Sequence, residues 1–388
     1  MEIKRSFRNM IKTVMFHGLF PRLYKIVCRR GPADARSAVF FEEPGKHVSD
    51  NSRIMRARMQ KEGWKTRTVC LNRNGGFMGS FFAGCLKSIP ALARAKVIFL
   101  EDSSELISCL PLRSDTKVIQ LWHACGAFKR FGYSLEGKKY GAKAAELNAF
   151  PRHRNFTYVT VSSPEVAWAY AQAFHMEDRP EAIVPVGIAR TDLFFRKKQV
   201  EAAHQKLQAL TGGRYNRFLL YAPTFRGDAS NASTPPLPDF ALIHDALGPA
   251  WGIVINQHPF IDHRPSIPQQ AREYVFDMTG RMGIQELMMA GDICITDYSS
   301  IVFEYALLER PMLFFAPDLE EYDDWRGFYY PYEEMTPGPV LTTSCELADR
   351  LRDIDRKFDK EQLHLFREKF MSACDGHAVE RILALAES

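Results

Sequence analysis

The sequence predicts an α/β protein built from two doubly wound halves that face a cleft. Strand-length apolar runs alternate with helical segments along the chain, the pattern of a parallel sheet covered by helices. A length of 388 residues suits two domains, each burying its own core. The stretch from Ala290 to Phe315, AGDICITDYSSIVFEYALLERPMLFF, reads as a strand, a serine-bearing turn, an amphipathic helix and a second strand. That order of elements suits a phosphate-holding βα unit, because a helix N-terminus presents backbone amides to an anion.

The first thirty residues carry Lys4, Arg5, Arg8, Lys12, Arg22, Lys25, Arg29 and Arg30 against the single acid Glu2. Apolar residues such as Phe16, Leu19, Phe20 and Leu23 are interleaved with them. This mixture predicts a basic amphipathic segment over residues 1–32, set either on an anionic membrane surface or docked on the domain with its basic face solvated. No run of eighteen apolar residues occurs, so no spanning helix is expected. The eight cysteines form no CxxC and no regular spacing, which argues against a zinc site or a disulfide framework and fits a reducing cytosol. The net charge of +5 is mild, and no nucleic-acid partner is expected.

Downstream, Ser37 to Phe41 is a strand candidate and Ser49 to Glu62 a helix capped by Ser49 or Asp50. Lys96 to Leu100, Lys117 to Leu121, Tyr158 to Val161 and Ile183 to Val186 continue the strands of a domain placed at residues 33–205. A helical stretch, Gln199 to Leu210, and the turn Gly212-Gly213 lead into a second domain at residues 206–388. Its strands are Phe218 to Ala222, Ile253 to Asn256, Tyr274 to Phe276, Ile293 to Thr296 and Met312 to Phe315. Between the first two, Asp228 to Asp239 is rich in small polar residues and proline and reads as a surface loop.

In open α/β sheets, ligands lie beyond the carboxyl ends of the strands, so residues there are the candidates for chemistry. One half supplies His123, Lys129 and Arg130 from LWHACGAFKRFG, and Gly187, Arg190 and Asp192 from VGIARTD. The other supplies Thr224 and Arg226 from YAPTFRG, His258 from INQHPF, and Asp297, Ser299 and Ser300 from TDYSS. His123, at a strand end and followed by two cations, can take a proton from an alcohol near neutral pH. His258 can donate a hydrogen bond or a proton to phosphate; otherwise it is a turn residue ordered by Pro259. Arg226 and Arg326 can each pair with phosphate in bidentate fashion or sit in surface ion pairs. No carboxylate cluster suggests a metal cage, so no cofactor is required, although a diphosphate could carry a magnesium ion.

The ordered series WHACGAFKRFG, PVGIARTDLF, YAPTFRG, QHPF, TDYSSIVFEYALLERPMLFF and DLEEYDDWRGFYYPYEEMTPGPV, from Lys117 to Val340, closely resembles the CDP-glycerol glycerophosphotransferase family, the enzymes that build teichoic acids. The resemblance implies a GT-B-like fold of two Rossmann-like domains and attachment to the inner face of the cell membrane. It implies transfer of glycerol phosphate from CDP-glycerol to a hydroxyl of a lipid-linked acceptor, with release of CMP. Carried over by position, His123 is the general base and His258 its partner at the donor pyrophosphate. Thr224, Arg226, Asp297, Ser299, Ser300 and Arg326 contact the donor, and Lys129 and Arg130 lie on the acceptor side. One departure stands out: many family members follow the first histidine with Gly-Thr-Pro, whereas this chain has Ala124, Cys125 and Gly126.

Three other readings share these features. Ribitol phosphate is an alternative group to transfer, and a GT-B glycosyltransferase or nucleotide-sugar epimerase would use the same sheets and cleft. An inactive membrane-surface binding protein would account for the basic start but not for His123 and His258.

Overall fold

The computed structural model describes the chain apart from residues 1–8, 44–47, 73–77, 137–143, 228–230, 259 and 262 and the side chains of 78, 144–146 and 323–326. Pro259, the first part of the Asp228 to Asp239 loop and the leading basic residues Lys4, Arg5 and Arg8 fall outside the described residues. The strands form two six-stranded sheets, parallel throughout.

The first sheet contains β1 (Ser37–Glu42), β2 (Lys65–Cys70), β3 (Val97–Leu100), β4 (Lys117–Gln120), β5 (Tyr158–Thr160) and β6 (Ile183–Val184), in the order β2-β1-β3-β4-β5-β6. The second contains β7 (Arg217–Tyr221), β8 (Trp251–Ile255), β9 (Val275–Asp277), β10 (Ile293–Thr296), β11 (Met312–Phe315) and β12 (Val340–Leu341), in the order β12-β11-β10-β7-β8-β9. Central strands such as β3 (VIFL) and β11 (MLFF) are buried along their whole length, as parallel strands covered on both faces must be. The edge strand β2 (KTRTVC) has exposed charged residues and gave no apolar run to read in the sequence.

Each sheet has one point where the strand order reverses, between β1 and β3 in the first and between β7 and β10 in the second. Loops leaving adjacent strands on either side of such a point diverge and open a crevice, so ligands settle there. Register aligns the carboxyl ends: Leu100 pairs with Gln120 across β3 and β4, and Ile295 with Tyr221 across β10 and β7. Glu101 and Asp102 thus leave one edge beside Trp122 and His123, and Thr224 leaves the other beside Asp297.

The chain divides into two compact units: residues 1–124, 131–192 and 373–388 form the first, and 125–130 with 193–372 form the second. The sequence reading placed the division at residue 205/206 and gave the whole C-terminus to the second domain; the structure divides the chain differently. The C-terminal helix Ala378–Glu387 packs Val379, Ile382, Leu383 and Ala386 into one core with Phe40, Val97, Phe99 and Ile119 of the first sheet. Asp192 holds its start, accepting from the Ala378 and Val379 amides at 3.0 and 2.9 Å. Asp192, singled out in the sequence as a strand-end candidate, is therefore committed to a helix cap.

The described part of the basic start packs within the first unit. Phe16, Phe20 and Tyr24 are buried, with Phe16 and Phe20 against Phe82, and Lys12 pairs with the buried Glu105 at 3.0 Å. A second set of apolar side chains, Met10, Val14, Leu19 and Ile26, is exposed. No helix among the described residues is long and apolar enough to cross a membrane.

Candidate functional site

In the first unit the chain leaves β4 through Trp122, whose φ of +56° lies in the left-handed region. A bulky residue held there costs on the order of 1–3 kcal/mol and persists only where its surroundings fix it. The indole is buried against Phe131 and Phe174, with ring centroids 4.9 and 5.3 Å away. His123 follows, half exposed, its Nδ1 3.8 Å from Asp102 Oδ2. That separation is ion-pair range and longer than a hydrogen bond, as catalytic contacts often are before substrate arrives. Asp102 was not anticipated from the sequence; it follows β3, and only the pairing of β3 with β4 brings it to His123.

Loss of surrounding water is the largest influence on His123 and lowers its pKa from the ordinary histidine value; Asp102 opposes this and the Arg190 cation adds to it. A lowered pKa favours the neutral imidazole, the form able to accept a proton. Glu101, the residue before Asp102, has its carboxyl pushed up to about 8 by burial, which outweighs the opposing Arg190 charge 3.8 Å away. Its Oε2 is buried and meets no hydrogen-bond partner among the described residues, as suits a carboxyl that keeps its proton at neutral pH.

In the second unit the turn after β10 is built around Asp297. Its Oδ1 accepts from the amides of Thr224 and Tyr298 at 2.7 and 2.6 Å, and its Oδ2 from Arg226 at 2.9 Å. The carboxylate is thus a brace between the β7 and β10 loops and not a cap for the next helix. At that helix, Ile301–Ala306, Ser299 Oγ accepts only a long 3.4 Å bond from the Ile301 amide. The hydroxyl of Ser300 and the amides of Ser299 and Ser300 make no hydrogen bond within the described residues, leaving donors for an anion at the N-terminal end.

Arg226 differs from its sequence reading as a phosphate contact. Its Nε and Nη2 meet both oxygens of Asp318 at 2.6 and 3.0 Å, while Nη1 reaches Asp297 and the Thr224 carbonyl at 2.9 and 2.7 Å. The guanidinium also lies 4.9 Å from the Tyr298 ring and 5.0 Å from the Tyr322 ring. Four of its five N–H donors are committed inside the protein, so its principal work is to hold the turn after β10 to the start of the helix Leu319–Arg326. Its partner Asp318 is held below the usual carboxylate range: Arg226, by hydrogen bond and charge, overcomes the largest single influence, burial, which raises it.

Thr224 stands at the reversal point, and its buried Oγ1 meets no hydrogen-bond partner among the described residues. His258 follows β8, and its Nδ1 accepts from the Phe260 amide at 3.2 Å. With Nδ1 accepting, the proton of a neutral ring sits on Nε2. Lys129 and Arg130, expected with the first half, belong to the second unit: Lys129 bridges Phe328, and Arg130 stacks 5.3 Å from the Tyr329 ring. The side chain of Arg326 is outside the described residues.

Comparison with known proteins agrees with this architecture. The family model for CDP-glycerol:poly(glycerophosphate) glycerophosphotransferases matches residues 23–387, well beyond the motif region legible by eye. The teichoic acid ribitol-phosphate primase of Bacillus spizizenii is 33% identical over 95% of this chain and 95% of its own. The teichoic acid glycerol-phosphate primase of Bacillus subtilis is 28% identical over 78% and 76%. Among solved structures, the wall teichoic acid polymerase TagF superposes with a TM-score of 0.76 over 99% of this chain and 96% of that one, at 21% identity, and shares its GT-B-like fold. With a family model spanning nearly all of its length and a full-length relative at one-third identity, the chain belongs to the CDP-glycerol:poly(glycerophosphate) glycerophosphotransferase family.

Proposed function

We propose that this transferase moves glycerol phosphate from CDP-glycerol to a hydroxyl of a lipid-linked acceptor in teichoic acid synthesis, with His123 as general base. The observation that carries the reading is the His123 imidazole just beyond β4, with its Nδ1 3.8 Å from Asp102. In the proposed step His123 takes the proton of the acceptor hydroxyl, and the oxygen attacks the phosphorus that bears glycerol. The bond from that phosphorus to the bridging oxygen of the diphosphate breaks, and CMP leaves with the electron pair. His258 Nε2–H, the hydroxyls of Thr224 and Ser300 and the amides of Ser299 and Ser300 act on the donor phosphates as negative charge shifts onto CMP. Asp297 and Arg226 hold that turn; Lys129, Arg130 and Arg326 add positive charge for anionic substrate.

The working location is the inner face of the cell membrane. Supporting this, Met10, Val14, Leu19 and Ile26 are exposed on a segment that also carries Arg22, Lys25, Arg29 and Arg30.

A second reading, transfer of ribitol phosphate, is favoured by a ribitol-phosphate primase that is 33% identical along nearly its whole length, above the 28% of the glycerol-phosphate primase. CMP release measured with CDP-glycerol and CDP-ribitol at equal concentration, each with a lipid-linked acceptor, separates the two. The donor with the higher kcat/KM is the substrate; release from neither donor overturns both readings.

A further inference from the structure

Gln120, the last residue of β4, is fully buried, and its side chain is bonded at both ends. Its Oε1 accepts from the Trp122 amide at 3.0 Å, and its Nε2 donates to the carbonyl of Asp102 at 3.2 Å. A single side chain thus ties the loop bearing His123 to the loop bearing Asp102. Asn51, fully buried in the helix Asp50–Lys61, works from the other side. Its Nδ2 donates to the Trp122 carbonyl at 3.0 Å and to Glu101 Oε1 at 3.2 Å, and its Oδ1 accepts from the Arg190 amide at 2.8 Å.

Both backbone polar groups of Trp122 are therefore held by buried amide side chains, at the residue whose positive φ turns the chain into His123. A primary amide suits this work: it offers donor and acceptor together and brings no charge to be desolvated. Packing alone would not need both bonds, since Phe131 and Phe174 already enclose the indole.

We propose that Gln120 and Asn51 are positioning residues for phosphate transfer, bracing Trp122 in its left-handed conformation so that His123 stays turned toward Asp102. The inference rests on the reading of His123 as the base. Losing either brace lets the Trp122 peptide rotate, and a displacement of about 1 Å at a reacting group costs on the order of 100-fold in rate.

The test uses the full-length protein carrying Gln120→Leu or Gln120→Glu, with His123→Ala as control. Its readouts are kcat, donor KM, melting temperature and the NMR titration of the His123 imidazole, which faces Asp102, Arg190 and, further off, His153. Gln120→Leu should lower kcat by roughly 30-fold or more, leave donor KM within about threefold and move the His123 titration toward the ordinary histidine value. Gln120→Glu, which still accepts from the Trp122 amide, should retain more of kcat. Should Gln120→Leu fail to fold, Asn51→Ser carries the same expectations at the other brace.

An unchanged His123 titration in a folded variant overturns the proposal, whether kcat is retained or kcat and KM deteriorate together. The titration reads the brace without reference to turnover. Full activity in His123→Ala would instead sink the base reading while leaving the bracing effect measurable.

Discussion

Arg226 and Asp318 are joined by two parallel hydrogen bonds, Nε to Oδ2 at 2.6 Å and Nη2 to Oδ1 at 3.0 Å, 92 residues apart in sequence. Arg226 is only 14% exposed and also binds Asp297, which is 1% exposed, so the cation neutralises two carboxylates in a largely dry setting. Arg226→Ala strands both charges and should destabilise the protein by about 3 kcal/mol, measured by urea unfolding. Arg226→Lys cannot reproduce the fork and should lose at least half as much.

The same pair sets an acid limit on stability. Because the folded pKa of Asp318 lies below its unfolded value, its contribution is complete above the ordinary carboxylate pKa of about 3.9 and is lost as pH falls through the lower folded value. Melting temperatures of the wild type should therefore fall more steeply below about pH 4 than those of Asp318→Asn, which should start lower and vary less.

His123 predicts a pH profile. With its pKa lowered, the basic form persists to below the ordinary histidine value, so the acid limb of kcat/KM should lie on the acid side of about 6.5. Asp102 opposes that lowering, so Asp102→Asn should carry the limb further toward acid, read from initial rates of CMP release.

His258→Ala removes the Nε2–H donor while leaving β8 in place. A hydrogen bond to a charged oxygen contributes about 1.5–3 kcal/mol, so kcat/KM for the donor should fall roughly 10- to 100-fold. Steady-state kinetics at fixed acceptor check this, and retention of the wild-type value would remove His258 from the donor site.

Gly126, in the turn where this chain departs from the common family pattern, has φ +60°, and an added Cβ would meet the Phe303 ring at 2.4 Å. Gly126→Ala should cost at least 2 kcal/mol, through strain and displacement of a buried aromatic, as measured by thermal unfolding.

What could be read from the chain follows the range of the interactions. β10 and β11 emerged with their boundaries unchanged because each is a short apolar run bounded by turn residues. The placement of His123, His258, Ser299 and Ser300 just beyond strands was legible because strand-end position is a local property. β2 was missed because an edge strand needs no apolar run, and Gln120 and Asn51 because a buried amide looks like any surface amide until the sheet closes over it. Arg226 was read as a phosphate ligand because Asp318 meets it only in the folded chain. The C-terminal helix was assigned to the nearer domain because its cap, Asp192, lies 186 residues upstream of Ala378.

Activation of the acceptor by His123 is tested by CMP release from purified His123→Ala supplied with CDP-glycerol or CDP-ribitol and a lipid-linked acceptor. Turnover should fall by at least about 100-fold, in line with loss of a general base, while donor affinity by calorimetry is unchanged. Undiminished CMP release coupled to acceptor extension would show that His123 is not the base.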